Sequence, residues 1–526
     1  MRPSSILILK PLNRLHSREI SRKIILEARS FQVVRLRPIV LLLWATLVVA
    51  QAPQPAVTAP IPAASLATAR AEFVQGDFRA SAASYQLLVE KSPLLAEAQA
   101  GLVHSLLKLD EVDAAEQASK KALQDLSHSP VVLAADGDVK FRRGLLQEAR
   151  ERYHAAIRVD AKCARAWLGM GRIDAAESHR TQSRQDFERA HDLDATDGDV
   201  LYYWAIGLQF PRNVEALQKH MADFHDDAEK ERHEREYIEF LKALNGRKVW
   251  ILARAVPHAE IKLQPVVSRV QDGPRAFSLK LKLNGNVSAN VMLDTGASGL
   301  TISRKMAEKA HAIMLSEHSL EGVGNSGPAK GYEAWVDKVT IGDLEFHDCQ
   351  VHVSPRDNPD YDGLIGTDVF EDYLVSIDFP SRKLRLEPMP AKANNDSFTS
   401  FYRFGHIMLM PTSVGDTAHG LFALDTGSST NSMSPGMARS VSTVRSSNIP
   451  VNGMSGSVSN VFTADQTVLQ FSRFRQPHEN MITFDLHGLS KDLGTEISGL
   501  IGFATLKKMT ITINYRDGLV GFDYKP

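Results

Sequence analysis

The chain has 526 residues, more than one hydrophobic core holds, so several domains are expected. Lys and Arg total 61 and Asp and Glu total 62, which removes any electrostatic ground for a nucleic-acid or acidic partner. Apolar content of 43% with 7% aromatics is that of an ordinary globular protein, and two cysteines, Cys163 and Cys349, cannot build a metal site. With no C-x-x-C or H-E-x-x-H spacing either, no metal and no cofactor is expected.

The chain opens on a targeting pattern. Residues 39–49, IVLLLWATLVV, form an unbroken apolar run with Arg35 and Arg37 before it and Ala-Gln-Ala at 50–52 after it. A basic flank, an apolar core and small residues at the cleavage point predict a signal peptide over 1–52, with the start of translation near Val33 or Val34. The run is short for a membrane span, so membrane contact is expected only through an uncleaved signal anchor. Export to the periplasm or medium of a bacterium follows as the expected location.

A Pro-rich linker, PQPAVTAPIP, occupies 53–62. From 63 to 246 the chain turns Ala-rich with helical period. Gly76, Asp110, Gly144 and Ser178 stand 34 residues apart. Five positions on are Ser81, Ala115, Ala149 and Ser183; nine on are Tyr85, Ser119, Tyr153 and Phe187. Gly137 and Gly171 repeat at the same interval. Small residues recur where helices must cross and large ones where they fill the gap, and LYYWAIGL at 201–208 starts a fifth, partial unit. This spacing resembles the tetratricopeptide repeat family, which implies an all-α solenoid binding a protein partner. The segment 225–244 is charged with an apolar stripe, and His225 and His233 are read as solvated face residues.

At about 247 alternation replaces helical period and β-branched residues rise. FSLKLKLNGNVSANVMLDTG at 277–296 reads as a hairpin turning at Asn284-Gly285, and HIMLMPTSVGDTAHGLFALDTG at 406–427 as a second turning at Gly-Asp. Both end on Asp-Thr-Gly, at Asp294 and at Asp425, 131 residues apart. GLIG follows each, at 363–366 and at 499–502, 136 residues apart. Past GLIG, TDVFEDY and FATLKKM read as short helices and each is followed by strand, turn and strand, with Ile377 and Ile513 keeping the offset of 136. The unit is duplicated: copy 1 over 247–392, copy 2 over 393–526.

These paired motifs resemble the aspartic protease clan, retropepsin-like and pepsin-like, over about 250 residues. Each copy has the size of a retropepsin subunit. The resemblance implies a multidomain chain, with an all-α tetratricopeptide solenoid followed by all-β duplicated aspartic-protease barrels. It implies an aspartic endopeptidase acting on a peptide or protein, with Asp294 and Asp425 as catalytic dyad. The copies pair within one chain in the simplest version; pairing between chains, as a dimer, fits the same spacing. Two adjacent carboxyls cannot both ionise cheaply, so they hold one proton between them and can act as base and acid on a water and a carbonyl. By the same resemblance Thr295 and Thr426 cross-link the two loops, and Gly296 and Gly427 let the backbone approach the carboxylates. The Ser428 hydroxyl is expected to bond Asp425, a bond Ala297 cannot offer Asp294, which marks Asp425 as the lasting anion. Gly366 and Gly502 are read as packing positions where strands cross. Gly- and Ser-rich 320–336 and 451–466 are expected to be mobile flaps. The G-x-G-x-x-G at Gly322, Gly324 and Gly327 runs into Pro328 rather than a helix, so a dinucleotide site is not expected. The alternative is a non-catalytic peptide-binding or assembly protein using the same two halves.

Overall fold

The 34-residue interval appears directly as helix spacing. In a computed structural model describing residues 65–254, 256–267, 273–391 and 397–524, helices begin at Phe78, Val112, Leu146 and Arg180, and between them at Ala96, Pro130, Ala164 and Gly198. Each series advances by 34. The expected signal peptide and linker, 1–52 and 53–62, lie outside the described residues. Gly76, Asp110, Gly144 and Ser178 all take positive φ, at 77°, 60°, 73° and 65°. Each stands two residues past the first helix of a pair and turns the chain back, a conformation glycine reaches without strain.

Side-chain size sets how closely the pairs approach. A methyl at Gly137 would lie 2.5 Å from the Tyr153 ring, and one at Gly171 2.6 Å from the Phe187 ring. The unit begun at 201–208 is a complete fifth pair, Gly198–Ile206 with Arg212–Asp223. A further helix, Ala228–Leu244, follows, with Asp227 accepting from the N–H groups of Glu229 and Lys230 at its N-terminus.

The β half holds two closed six-stranded barrels with one connectivity. In the first, the ring runs Pro274–Leu283, Val287–Leu293, Gly363–Ile365, Leu300–Ser303, Leu344–Ser354, Ala329–Ile341 and back to the start. In the second it runs Ile407–Val414, Ala418–Asp425, Gly499–Gly502, Ser432–Met433, Phe474–Phe484, Val461–Phe471 and back. Both predicted hairpins form; Asn284 and Gly285 take φ of 47° and 78°, and Gly415 one of 63°. A third sheet of six strands joins the copies, with Tyr373–Asp378 antiparallel to Met509–Asn514. In it Ser376 faces Thr512, and their hydroxyls lie 3.0 Å apart. Those two positions are equivalent under the offset of 136, so the axis relating the copies passes between them.

The described residues fall within one compact unit, 62–526. One apolar core runs through both barrels. A second joins array residues Leu133, Phe141, Leu146, Tyr153 and Met170 to Ile407, Leu409, Leu421 and Phe484 of copy 2. Cys163 and Cys349 are buried and free. Among the described residues no helix is long and apolar enough to cross a membrane.

Candidate active site

Each Asp-Thr-Gly follows a strand that packs parallel to its own GLIG strand, Val291–Leu293 against 363–365 and Phe422–Asp425 against 499–502. GLIG in turn runs antiparallel to the strand beyond the loop. The loop is thus held between two strand contacts. Gly366 and Gly502 stand where the chains are tightest: a methyl at Gly366 would lie 2.3 Å from the Ala297 carbonyl oxygen, and one at Gly502 2.2 Å from that of Thr430. Only a residue without Cβ fits there.

The two loops meet within one chain. The Thr426 hydroxyl accepts from the Thr295 N–H at 3.0 Å, and the Thr295 hydroxyl accepts from the Thr426 N–H at 3.0 Å. Each hydroxyl also donates across to the partner strand, Thr295 to the Leu424 carbonyl at 2.7 Å and Thr426 to that of Leu293 at 3.2 Å. Four crossed bonds among buried groups fix the loops to each other.

Asp294 and Asp425 are brought into side-chain hydrogen-bond contact. Asp294 Oδ1 accepts from the N–H of Gly296 at 2.8 Å and of Gly427 at 3.1 Å. Asp425 Oδ1 accepts from Gly427 at 2.9 Å and from the N–H of Ser428 at 2.9 Å. Burial pushes both carboxyls up. The charge of Asp425 pushes Asp294 further, and two amides pull each carboxyl back, Gly296 and Gly427 on Asp294 and Ser428 and Gly427 on Asp425. The pair therefore holds one proton between its two members.

One atom differs from expectation. The Ser428 hydroxyl donates to the Thr430 carbonyl at 2.9 Å, so the group that reaches Asp425 is the backbone amide. Three further residues brace the loops. Asp368 accepts the Gly299 N–H at 3.0 and 3.1 Å and the Ser298 hydroxyl at 3.3 Å. Asn431 Oδ1 accepts the Gly502 N–H at 2.8 Å. His406 Nε2 lies 3.1 Å from the Gly296 carbonyl oxygen; burial lowers its pKa, so it donates as a neutral imidazole. No motif marks Asp368, and the equivalent place in copy 2 is Ala504.

The two expected flaps are hairpins whose tips interlock. Val323 O accepts from the Ser455 N–H at 3.0 Å, Ser455 O from Ser326 at 2.8 Å, and Ser457 O from Asn325 at 3.1 Å. Gly324, at φ 136°, lets Ser455 come this close. The first flap strand, Ile313–Leu320, is also held by the helix Ala228–Leu244. Glu321 accepts from Arg232 at 2.8 Å and lies 2.7 Å from His233 Nε2, and Glu236 accepts the Ser319 N–H at 3.0 Å. His233 thus docks on the flap rather than facing only solvent.

Residues 279–369, inside copy 1, match the family described as aspartyl protease. No curated protein matches the chain. Among solved structures the chain is similar to an aspartic proteinase from Irpex lacteus, with 12% identity over 51% of this chain and 97% of that one and a TM-score of 0.35. It is similar to a retropepsin-like aspartic protease from Rickettsia conorii, with 22% identity over 24% and 89% and a TM-score of 0.19. It is also similar to PilF of Pseudomonas aeruginosa, with 17% identity over 34% and 82% and a TM-score of 0.23. The matched residues 279–369 contain both Asp294-Thr295-Gly296 and Gly366.

Proposed function

We propose that the chain is an aspartic endopeptidase whose two copies form one active site, with a protein or peptide substrate lying beneath the paired flaps. The observation that carries this reading is the buried carboxyl pair: two equivalent loops, crossed through Thr295 and Thr426, bring Asp294 and Asp425 together. In the reaction the Asp425 carboxylate takes a proton from a water as its oxygen bonds to the peptide carbonyl carbon. The proton held by Asp294 passes to the carbonyl oxygen. The resulting diol returns its proton to the dyad, the C–N bond breaks and the amine leaves protonated. Gly296, Gly427 and Ser428 keep both carboxyls in place through these transfers.

The helical array recruits the substrate or a partner protein. A cavity of about 500 Å³ lined by Lys108, Arg165, Arg172, Tyr202 and Tyr237 supports this role. Export by the 1–52 signal fits a protein that keeps its two thiols buried and unpaired.

The test is cleavage of an unbiased peptide library by residues 53–526 from acid to neutral pH, beside Asp294→Asn and Asp425→Asn. Cleavage by the wild type, with each variant reduced at least about a thousandfold, is the expected result. A folded wild type that retains peptides without cutting them would put a binding protein in the enzyme's place.

A further inference from the structure

Beside the active-site loop, three side chains from adjacent strands converge on one point. Glu333 lies opposite His352 across the Ala329–Ile341 and Leu344–Ser354 pair, and opposite Ser316 on the other side. His318 is two residues from Ser316, so it shares that face. Gly331 stands opposite His318 and puts no side chain between it and Glu333.

Glu333 is buried, and its two oxygens have separate surroundings. Oε2 accepts from Gln350 Nε2 at 2.7 Å. Oε1 lies 3.3 Å from His318 Nδ1 and 3.1 Å from His352 Nδ1. His352 Nδ1 is shielded from solvent yet makes no directed hydrogen bond. Two atoms at that separation without donor–acceptor direction have the geometry of ligands sharing a third body. In a tetrahedral site with bonds of about 2.0–2.1 Å, ligand atoms sit about 3.3 Å apart. All three donor atoms here lie within 4.8 Å of one another. The Gln350 bond supplies the orienting contact that metal-ligating carboxylates use.

We propose that His318, Glu333 and His352 form a binding site for a divalent ion of the zinc class. Two imidazoles and one carboxylate suit such an ion, and the fourth position is left for water. The ion would tie the outer flap strand to the two strands behind it. It would also sit next to the active loop, because a methyl at Gly299 would lie 3.8 Å from His352 Nε2. The ligands are 15 and 19 residues apart on three strands, so no short motif announces them.

The test uses residues 53–526, freed of metal by chelation and titrated with Zn²⁺ by calorimetry and with Co²⁺ by visible absorption. One equivalent is expected to bind, with the Co²⁺ bands of a four-coordinate site. His318→Gln and His352→Ala should each abolish the bands, and Gln350→Ala should weaken binding about tenfold. Circular dichroism checks that each variant is folded, and His318→Gln keeps side-chain size on a half-exposed strand. Absence of stoichiometric uptake overturns the proposal. So does uptake that survives His318→Gln and His352→Ala but is lost with His179→Ala or Asp492→Asn, which report the clusters at Asp174, Glu177 and His179 and at Glu229, Glu321 and Asp492. Loss only with Asp425→Asn would place the ion on the dyad and overturn it equally.

Discussion

Each dyad carboxyl is held by two backbone amides rather than by a side-chain hydroxyl. Both triplets place a carboxyl at the end of an apolar strand, and the sequence shows that much. The Ser428 hydroxyl was the visible candidate for holding Asp425, yet its N–H performs the task, and a backbone donor leaves no trace in residue type. Ser428→Ala should therefore change kcat/KM by less than about threefold, whereas Thr426→Ala, which leaves the buried Thr295 N–H unpaired, should destabilise the fold by about 1–3 kcal/mol. Kinetics and denaturant titration of both variants check this. Asp294 also carries a stability signature. Its folded pKa lies above the unfolded value, so its contribution is fully present below about pH 3.9 and is lost as pH rises towards the folded pKa. Asp294→Asn cannot ionise, so its Tm should match the wild type at pH 3.5 and exceed it at pH 8. Equal differences at the two values would remove the raised pKa.

At the scale of elements, the flaps were legible as Gly- and Ser-rich hairpins, but what holds them was not. Glu321 pairs with Arg232 and His233, residues about ninety positions away on a helix whose charged face reads as solvated. The Glu321 contact raises the His233 pKa. That contribution is present below about pH 6.5 and lost as pH rises through the folded value. Burial, together with Glu321 and Glu229, raises Asp492 to about 6, so a further negative charge appears beside Glu321 as pH rises past that point. Both titrations loosen the clamp in the same direction. Exchange protection of residues 313–320, corrected for intrinsic rates, should thus fall several-fold between pH 5 and pH 8. Glu321→Gln should bring the pH 5 protection down to the pH 8 level, since a partly exposed ion pair is worth about 0.2–1 kcal/mol. Protection independent of both pH and Glu321 would mean that the tip-to-tip bonds alone keep the flaps shut.

Across the whole molecule, duplication could be read to the residue: the offset of 136 places Ser376 against Thr512, on the axis relating the copies. The union of the two halves could not. Leu133, Phe141, Leu146 and Met170 read as the interior of a helical repeat, and an apolar face carries no mark of what will cover it. In the fold they pack on Ile407, Leu409, Leu421 and Phe484. Copy 2 also ends the helix Pro130–Arg142, whose last carbonyls accept from the Thr495 hydroxyl at the Phe141 oxygen, 2.8 Å, and from the Glu496 N–H at the Arg142 oxygen, 2.8 Å. An array joined this way would bare an apolar face on separation. Calorimetry of residues 53–526 should accordingly show the array and the β half unfolding in one transition, and Phe141→Ala should lower that whole transition by about 3–5 kcal/mol. Residues 247–526 alone would leave the copy 2 face bare and should not fold stably. Two separate transitions, with only one moved by Phe141→Ala, would instead make the array an independent module that merely rests against the barrels.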